Sequence, residues 1–168
     1  VNDIYINELC SFDNTLLVFV RGKSSKGLLY TLQEDGKLNK IVDNASCFAV
    51  NQYTNDKYIL VGYNQKLSLY KFTSEKGCTL CSGWPIELES RIQSVSLSYP
   101  NSIILTPEKM YSVDLSNQSI KSSRSPCIPA PYTRALSHEF FLTYYAHSSM
   151  IIDSNLSTNI SPISFDEE

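Results

Sequence analysis

Residues 58–72 read YILVGYNQKLSLYKF, and this stretch decides the fold class. It begins with a continuous apolar run over residues 58–61, which is typical of a strand that is covered on both faces. A short turn follows at residues 62–64, and beyond it Leu67 and Leu69 alternate with less apolar neighbours. Apolar residues that recur every two positions indicate a strand rather than a helix. The stretch therefore predicts an antiparallel strand pair.

The same form of strand pair occurs four times along the chain. Taking Leu17, Ile59, Ile103 and Phe140 as anchors, the spacings are 42, 44 and 37 residues. The four pairs are residues 16–20 with 28–32, 58–61 with 67–72, 103–105 with 111–115, and 140–142 with 150–153. Weaker strands are predicted before the pairs at residues 4–6, 47–50 and 95–99, and after them at residues 38–42, 119–121 and 160–165.

Four short strands in a repeat of roughly 40 residues are the signature of a β-propeller blade. The sequence therefore predicts an all-β protein with WD-repeat-like blades. The approximate repeats are residues 1–43, 44–86, 87–125 and 126–168. Because four blades are few for a closed ring, and because the chain starts without methionine and ends abruptly, we expect about four blades of a larger propeller. A β-sandwich is the alternative, since its turns are also closely spaced.

The composition is that of a folded globular protein, with 42% apolar and 18% charged residues. The net charge is −3 and both signs are mixed along the chain, which argues against nucleic acid and against a polybasic membrane patch. No apolar run approaches the length of about 20 residues that crosses a bilayer, so we expect no transmembrane segment. No signal peptide or lipidation motif is visible.

The sequence contains five cysteines: Cys10, Cys47, Cys78, Cys81 and Cys127. They are odd in number and irregularly spaced, which suits a reducing compartment.

Cys78-Thr79-Leu80-Cys81 has the CxxC spacing of zinc ribbons and redox motifs. A structural zinc site needs two further ligands, and the two histidines, His138 and His147, lie far along the chain without paired spacing. A thioredoxin-type motif would open a helix, whereas this one precedes the Gly83-Trp84-Pro85 corner. We therefore interpret these residues as ordinary cysteines of a blade connection, with no metal and no cofactor. An all-β metal protein or enzyme that uses Cys78 and Cys81 is the alternative.

The other patterns that could carry catalysis are weak. There is no Gly-x-Ser-x-Gly elbow, and His138 and His147 are expected in exposed loops. Glu87 and Glu89 share one face of a predicted strand, which is better interpreted as a solvated face than as an acid–base pair. The six glycines form no phosphate-binding cluster. We expect a non-enzyme without catalytic residues.

A polar segment at residues 116–131 is predicted to be an inter-blade linker. It contains a basic-flanked Ser125-Pro126, a candidate phosphorylation site, and a Pro-x-x-Pro sequence at residues 126–129. Asn-x-Ser sequons start at Asn44, Asn117, Asn155 and Asn159. In a chain this rich in Asn and Ser, such patterns arise by chance and assign no site.

Several segments resemble, in their order and spacing, the citron-homology domain. Residues 45–50 and 58–72 are similar to the family's apolar strand, small turn and L-x-L-Y-x-[WF] strand. Residues 103–115 look like its next strand pair, which ends in [ILV]-D-L. Residues 129–153, with Glu139-Phe140-Phe141-Leu142-Thr143-Tyr144, are similar to its E-F-L-L-x-Y element, although Ser148-Ser149 stands where glycine is frequent.

The combination is most similar to the amino-terminal propellers of the Vam/TRAP-type subunits of the HOPS and CORVET tethering complexes. This resemblance, over residues 15–165, implies a non-catalytic propeller in front of a helical solenoid, without a cofactor. It implies recognition of a Rab-type small GTPase or a neighbouring subunit in vesicle docking and fusion. It also implies a cytoplasmic protein held peripherally on endosomal or vacuolar/lysosomal membranes by its partners. No motif assigns contact residues. The alternative within the family is a regulatory domain of a Rho-pathway exchange factor or kinase.

Overall fold

The computed structural model describes residues 4–12, 15–22, 26–32, 34–73, 77–124, 132–145, 148–157 and 163–164. All the regular structure in these ranges is β-strand. In blade 1 the strands are β1 (Ile4–Phe12), β2 (Thr15–Gly22), β3 (Gly27–Leu32) and β4 (Leu38–Ala45). In blade 2 they are β5 (Cys47–Val50), β6 (Tyr58–Tyr63), β7 (Lys66–Thr73), β8 (Gly77–Leu80) and β9 (Ile86–Glu87). In blade 3 they are β10 (Ser94–Ser98), β11 (Asn101–Leu105), β12 (Lys109–Asp114) and β13 (Ser119–Arg124). In blade 4 they are β14 (Tyr132–Ala135), β15 (Phe140–Tyr145), β16 (Ser148–Asp153) and β17 (Ile163–Ser164).

Each blade is an antiparallel sheet in which the strands follow one another in chain order. Blade 2 departs from this pattern because its outermost position is shared. β8 pairs with one end of β7, and β9 pairs with the other end at Lys66 and Leu67. The break between β8 and β9 contains Trp84, whose side chain packs into the core between blades 2 and 3.

The structure confirms the all-β fold and the propeller class. The four predicted strand pairs are β2–β3, β6–β7, β11–β12 and β15–β16, and each is antiparallel. Two strands, β8 and β14, were not predicted. The linker prediction over residues 116–131 is wrong in part, because residues 119–124 form β13, which pairs with β12 along its length.

Three buried apolar clusters join consecutive blades, and each mixes side chains from the two sheets that it joins. The core between blades 1 and 2 contains Leu17 and Phe19 against Ile59 and Val61. In the core between blades 2 and 3, Leu60, Leu67, Leu69, Val95, Ile104 and Val113 are among the buried residues. Between blades 3 and 4, Ile103, Leu105 and Met110 meet Ala135, Phe141 and Ile152. Full burial of one such side chain contributes about 1.5–3 kcal/mol, so these cores are the main stabilising element of the arrangement.

The continuous apolar runs arise because successive side chains of a strand point to opposite faces. In β6, Ile59 and Val61 pack towards blade 1, while Leu60 packs towards blade 3. A strand between two other blades therefore needs apolar residues at every position. None of the described ranges contains a helix that is long and apolar enough to cross a membrane.

Candidate functional site

The first strand of every blade lines a central cavity of about 640 Å³. The cavity is bounded by residues 7–11 of β1, 46–50 at β5, 93–97 at β10 and 132–135 of β14. Residues 52 and 53 lie at one end of it. This arrangement is the central channel of a propeller, and it brings polar side chains from all four blades to one place.

Two opposite charges, Glu8 of blade 1 and Arg134 of blade 4, face this cavity. Partial burial raises the pKa of Glu8, and the positive charge of Arg134 opposes that rise. Burial likewise raises the pKa of the Cys10 thiol, and the negative charge of Glu8 adds to the rise. For Cys47, burial raises the pKa to about 12. Neither thiol ionises readily near neutral pH, so the described lining offers hydrogen-bonding groups and no activated nucleophile.

Hydroxyl groups join blades 3 and 4 beside the cavity. Thr133 N donates to Ser94 Oγ at 3.1 Å, and the hydroxyls of Ser96 and Thr133 are hydrogen-bonded at 3.0 Å. All three residues are buried. Polar residues can occupy this buried seam because they satisfy one another.

A loop of residues 51–57, between β5 and β6 of blade 2, covers one end of the channel and contacts the other three blades. Tyr53 Oη donates to the carbonyl oxygen of Ala135 in blade 4 at 3.0 Å. Gln52 Nε2 lies 4.0 Å from the sulfur of Cys10 in blade 1. Tyr58, which follows the loop, stacks on Tyr99 of blade 3 with ring centroids 4.3 Å apart. We call residues 51–57 the 51–57 loop.

The 51–57 loop combines a fixed base with exposed side chains. Asn51, at its start, is 3% exposed, and its side-chain amide donates to the Asp56 carbonyl oxygen at 2.6 Å. Tyr53 is 42% exposed, and Asn55 and Asp56 are exposed as well. Loops that are held by rigid blades are the usual binding elements of such scaffolds. The 51–57 loop is therefore the best-defined candidate binding surface. In the sequence, Asn55-Asp56 is a pair of residue types that favour turns, and it indicates only a turn at this position.

A second cavity of about 510 Å³ lies at the opposite end of blades 1 and 2. It is bounded by β4 and by the turn between β6 and β7, and its charged lining residues are Asp43, Lys66 and Glu87. The sequon residue Asn44 also lines it. The mixed charges give this cavity no preference for one sign of ligand.

Cys78 and Cys81 lie close in sequence but contact different cores. Cys78, in β8, packs against the core between blades 1 and 2, whereas Cys81 packs against the core between blades 2 and 3. Burial raises the pKa of Cys78 to about 12 and also raises that of Cys81. Residues three apart in an extended chain point to opposite sides, so the CxxC spacing does not bring the two thiols to one side here. Within the described ranges, no three His, Cys, Asp or Glu residues cluster in a way that could hold a metal ion.

The other residues singled out in the sequence lie apart from one another. His138 is exposed in the turn between β14 and β15, as expected. β9 ends at Glu87, so the strand predicted through Glu89 is too long. Beyond β9, Leu88 N donates to the Gln65 carbonyl oxygen, and Glu89 forms an ion pair with Lys109. Asn117 and Asn155 are exposed in turns. His147, Ser125, Cys127, the Pro-x-x-Pro sequence and Asn159 lie outside the described residues.

No family model matches the sequence, and no match was found among curated proteins. Solved structures with a similar fold include that of U3-55K, at 12% identity and a TM-score of 0.66 over 97% of this chain and 54% of that one. The Dos1 propeller matches at 14% identity and 0.61, over 97% and 49% of the two chains. The apo structure of AztD from Citrobacter koseri matches at 14% and 0.60, over 93% and 46%.

At such identities the likeness shows the fold alone, and the class that it shows is the β-propeller. The chain spans about half the length of the solved structures that it matches.

Proposed function

We propose that this chain is a non-catalytic protein-interaction platform of an endosomal or vacuolar tethering complex. It recognises a Rab-type small GTPase or a neighbouring subunit during vesicle docking and fusion. In this proposal it is cytoplasmic and reaches the membrane only through its partners.

The observation that carries the platform role is the 51–57 loop. Its contacts with Cys10, Tyr99 and Ala135 tie it to the other three blades. A loop that is ordered before binding loses little conformational entropy when a partner arrives. Its exposed residues combine an aromatic ring, an amide and a carboxylate, and aromatic side chains are enriched at protein interfaces.

The partner class rests on the resemblance of the sequence to citron-homology propellers. The strand pairs that carry this resemblance are the second and third strands of blades 2, 3 and 4. These strands form the blade interiors, so they support the scaffold and leave the contact residues unassigned.

A pull-down tests the proposal. The immobilised chain is incubated with a panel of Rab-type GTPases, each loaded either with a non-hydrolysable GTP analogue or with GDP. We expect one member to be retained in the GTP form alone. Asn55→Arg, at the exposed tip of the 51–57 loop, should reduce retention at least about tenfold, because a misplaced charge at an interface costs more than 1.4 kcal/mol.

Asn44→Arg is the matched control, since Asn44 is also exposed but lies near the opposite end of β5. Loss of binding with Asn44→Arg alone would place the contact at the second cavity. No nucleotide-dependent retention across the panel contradicts GTPase recognition. A neighbouring subunit captured through the 51–57 loop would then be the remaining form of the proposal.

A further inference from the structure

Blades 2 and 3 are covered on both faces by a neighbouring blade. Blade 3, for example, directs Ile104 towards blade 2 and directs Ile103 and Leu105 towards blade 4. Each of these residues is 0% exposed. In this fold, a blade with apolar residues at successive positions of its second strand is therefore a blade with two neighbours.

Blade 1 has the same composition, but in the part of the chain that the structure describes another sheet covers only one of its faces. Its second strand directs Leu17 and Phe19 into the core with blade 2, so Val18 and Val20 point the other way. The strand register extends that outward face across all four strands of the blade: Ile6, Leu9, Ser11, Leu16, Leu28, Tyr30, Leu32, Leu38 and Lys40. Lys40 is the one charged residue among these positions. Val18 and Val20, at the centre of the face, are buried, whereas Ile6, Leu9 and Leu38 are 65%, 56% and 52% exposed. This largely apolar face is therefore exposed at its innermost and outermost strands.

Blade 4 is open on the opposite side. Phe141 and Ile152 pack against blade 3, so the alternating positions Phe140, Leu142 and Ile151 point away from it. The register places Tyr144 on the same face, together with one charged residue of each sign, Arg134 and Asp153. Tyr132, at the end of this face, is 52% exposed, and Phe140 is 37% exposed. Among the described residues, no sheet covers this face.

We propose that the outward faces of blades 1 and 4 are inter-blade interfaces, and that each of them binds a further four-stranded propeller blade from outside these 168 residues. A blade is the occupant that fits, because the three interfaces already present join an apolar face of one blade to the apolar face of the next. The two open faces also have opposite directions. Within the described ranges, no blade precedes blade 1 and none follows blade 4.

The length of the matched structures agrees with this assignment. The chain aligns over nearly its whole length with 54%, 49% and 46% of three solved structures. Four blades that make up about half of a ring leave two faces for further blades to cover, and closed rings are known with up to eight blades. The proposal concerns how the scaffold is completed and holds whichever partner the 51–57 loop binds.

Site-specific thiol labelling tests the proposal. Ile6→Cys and Phe140→Cys place a thiol on the two outward faces, and Ile120→Cys is the control. Ile120 is 45% exposed, and it lies on the outermost strand of blade 3, which has neighbours on both sides. Each variant is prepared both as the 168-residue chain and as the protein that its gene encodes in its native cells. Maleimide labelling is followed peptide by peptide with mass spectrometry, so the natural cysteines do not interfere.

We expect the thiols at positions 6 and 140 to react quickly in the 168-residue chain. In the native protein they should react at least about tenfold more slowly, since a thiol buried between blades reacts only after local opening. The thiol at position 120 should react equally in both. Labelling at 6 and 140 as fast as at 120 in the native protein overturns the proposal. Protection in the 168-residue chain that disappears on dilution also overturns it, because a second copy would then be the occupant.

Discussion

The side-chain oxygen of Asn51 in blade 2 accepts a 3.0 Å hydrogen bond from the backbone nitrogen of Tyr99 in blade 3. The nitrogen of the same amide donates to the carbonyl oxygen of Asp56 at 2.6 Å and to the hydroxyl of Thr54. One buried side chain thus both shapes the 51–57 loop and ties it to the next blade. The candidate binding surface depends on this amide.

Replacing Asn51 by leucine should destabilise the fold. The substitution keeps a similar volume but leaves the Tyr99 nitrogen without its partner and removes one of the two hydrogen bonds that the Asp56 oxygen accepts. We expect a cost of about 1–3 kcal/mol in the free energy of unfolding. Urea denaturation measures this loss. Asn44→Leu, on the exposed surface, should change stability by less than about 0.5 kcal/mol. Equal losses for the two variants would show that the amide does not join the blades.

Tyr53→Phe should loosen the contact between blades 2 and 4 with little loss of overall stability. The substitution removes only the hydroxyl that donates to Ala135, and a partly exposed hydrogen bond contributes about 0.5–1.5 kcal/mol. We expect faster amide hydrogen exchange at residues 136–139, directly after Ala135. Tyr5→Phe is the control, because Tyr5 is 59% exposed. Unchanged exchange at the β14–β15 turn would rule out this tether.

Gly62 allows the close approach of blade 2 to the segment that precedes blade 3. A Cβ atom at this position would lie 2.6 Å from Ile92 Cγ2 and 2.8 Å from the sulfur of Cys47. Gly62→Ala should therefore destabilise the protein by about 1–3 kcal/mol through overpacking, measured as a lower urea midpoint. Gly22→Ala is the matched control, since a Cβ there meets no atom within 4 Å. A neutral Gly62→Ala would mean that this interface repacks freely.

The strands that the sequence predicts are those with apolar side chains on at least one buried face. β14 was missed because its central residue is Thr133, which is buried through hydroxyl bonds to blade 3 rather than through apolar contact. β8 was missed because it is short and half-exposed. Hydrophobic periodicity carries no information about either case. β9 was predicted, but as a strand that continues through Glu89, and it ends at Glu87.

The candidate site follows less directly from the sequence. Asn55-Asp56 predicts a turn, but the reach of Tyr53 to Ala135 joins residues 82 positions apart. That contact depends on how four sheets are placed around the channel, which no local pattern encodes. The separation of Cys78 and Cys81, by contrast, follows from strand alternation once β8 is known.

Alkaline pH should destabilise the protein through its buried thiols. Burial raises the pKa of Cys47 to about 12, and that of Cys78 to about 12, from an ordinary value near 9. Below pH 9, both thiols are protonated in the native and in the unfolded chain. Between pH 9 and 12, the unfolded chain releases these protons while the native chain retains them, so the free energy of unfolding falls as the pH rises. Urea denaturation from pH 8 to 10.5 should record this fall.

The double variant Cys47→Ala, Cys78→Ala isolates the thiols from the other groups that titrate in this range. Tyrosine and lysine side chains are the same in both proteins, so their effects cancel in the difference between the two pH profiles, apart from that of Tyr70, whose pKa the charge of Cys78 helps to raise in the wild type. The variant should be less stable than the wild type at pH 8, because two buried side chains are shortened, and the gap should narrow steadily above pH 9. Parallel profiles over the whole range would mean that the two thiols are accessible enough to ionise in the native state, which is incompatible with their positions at the faces of blade 2.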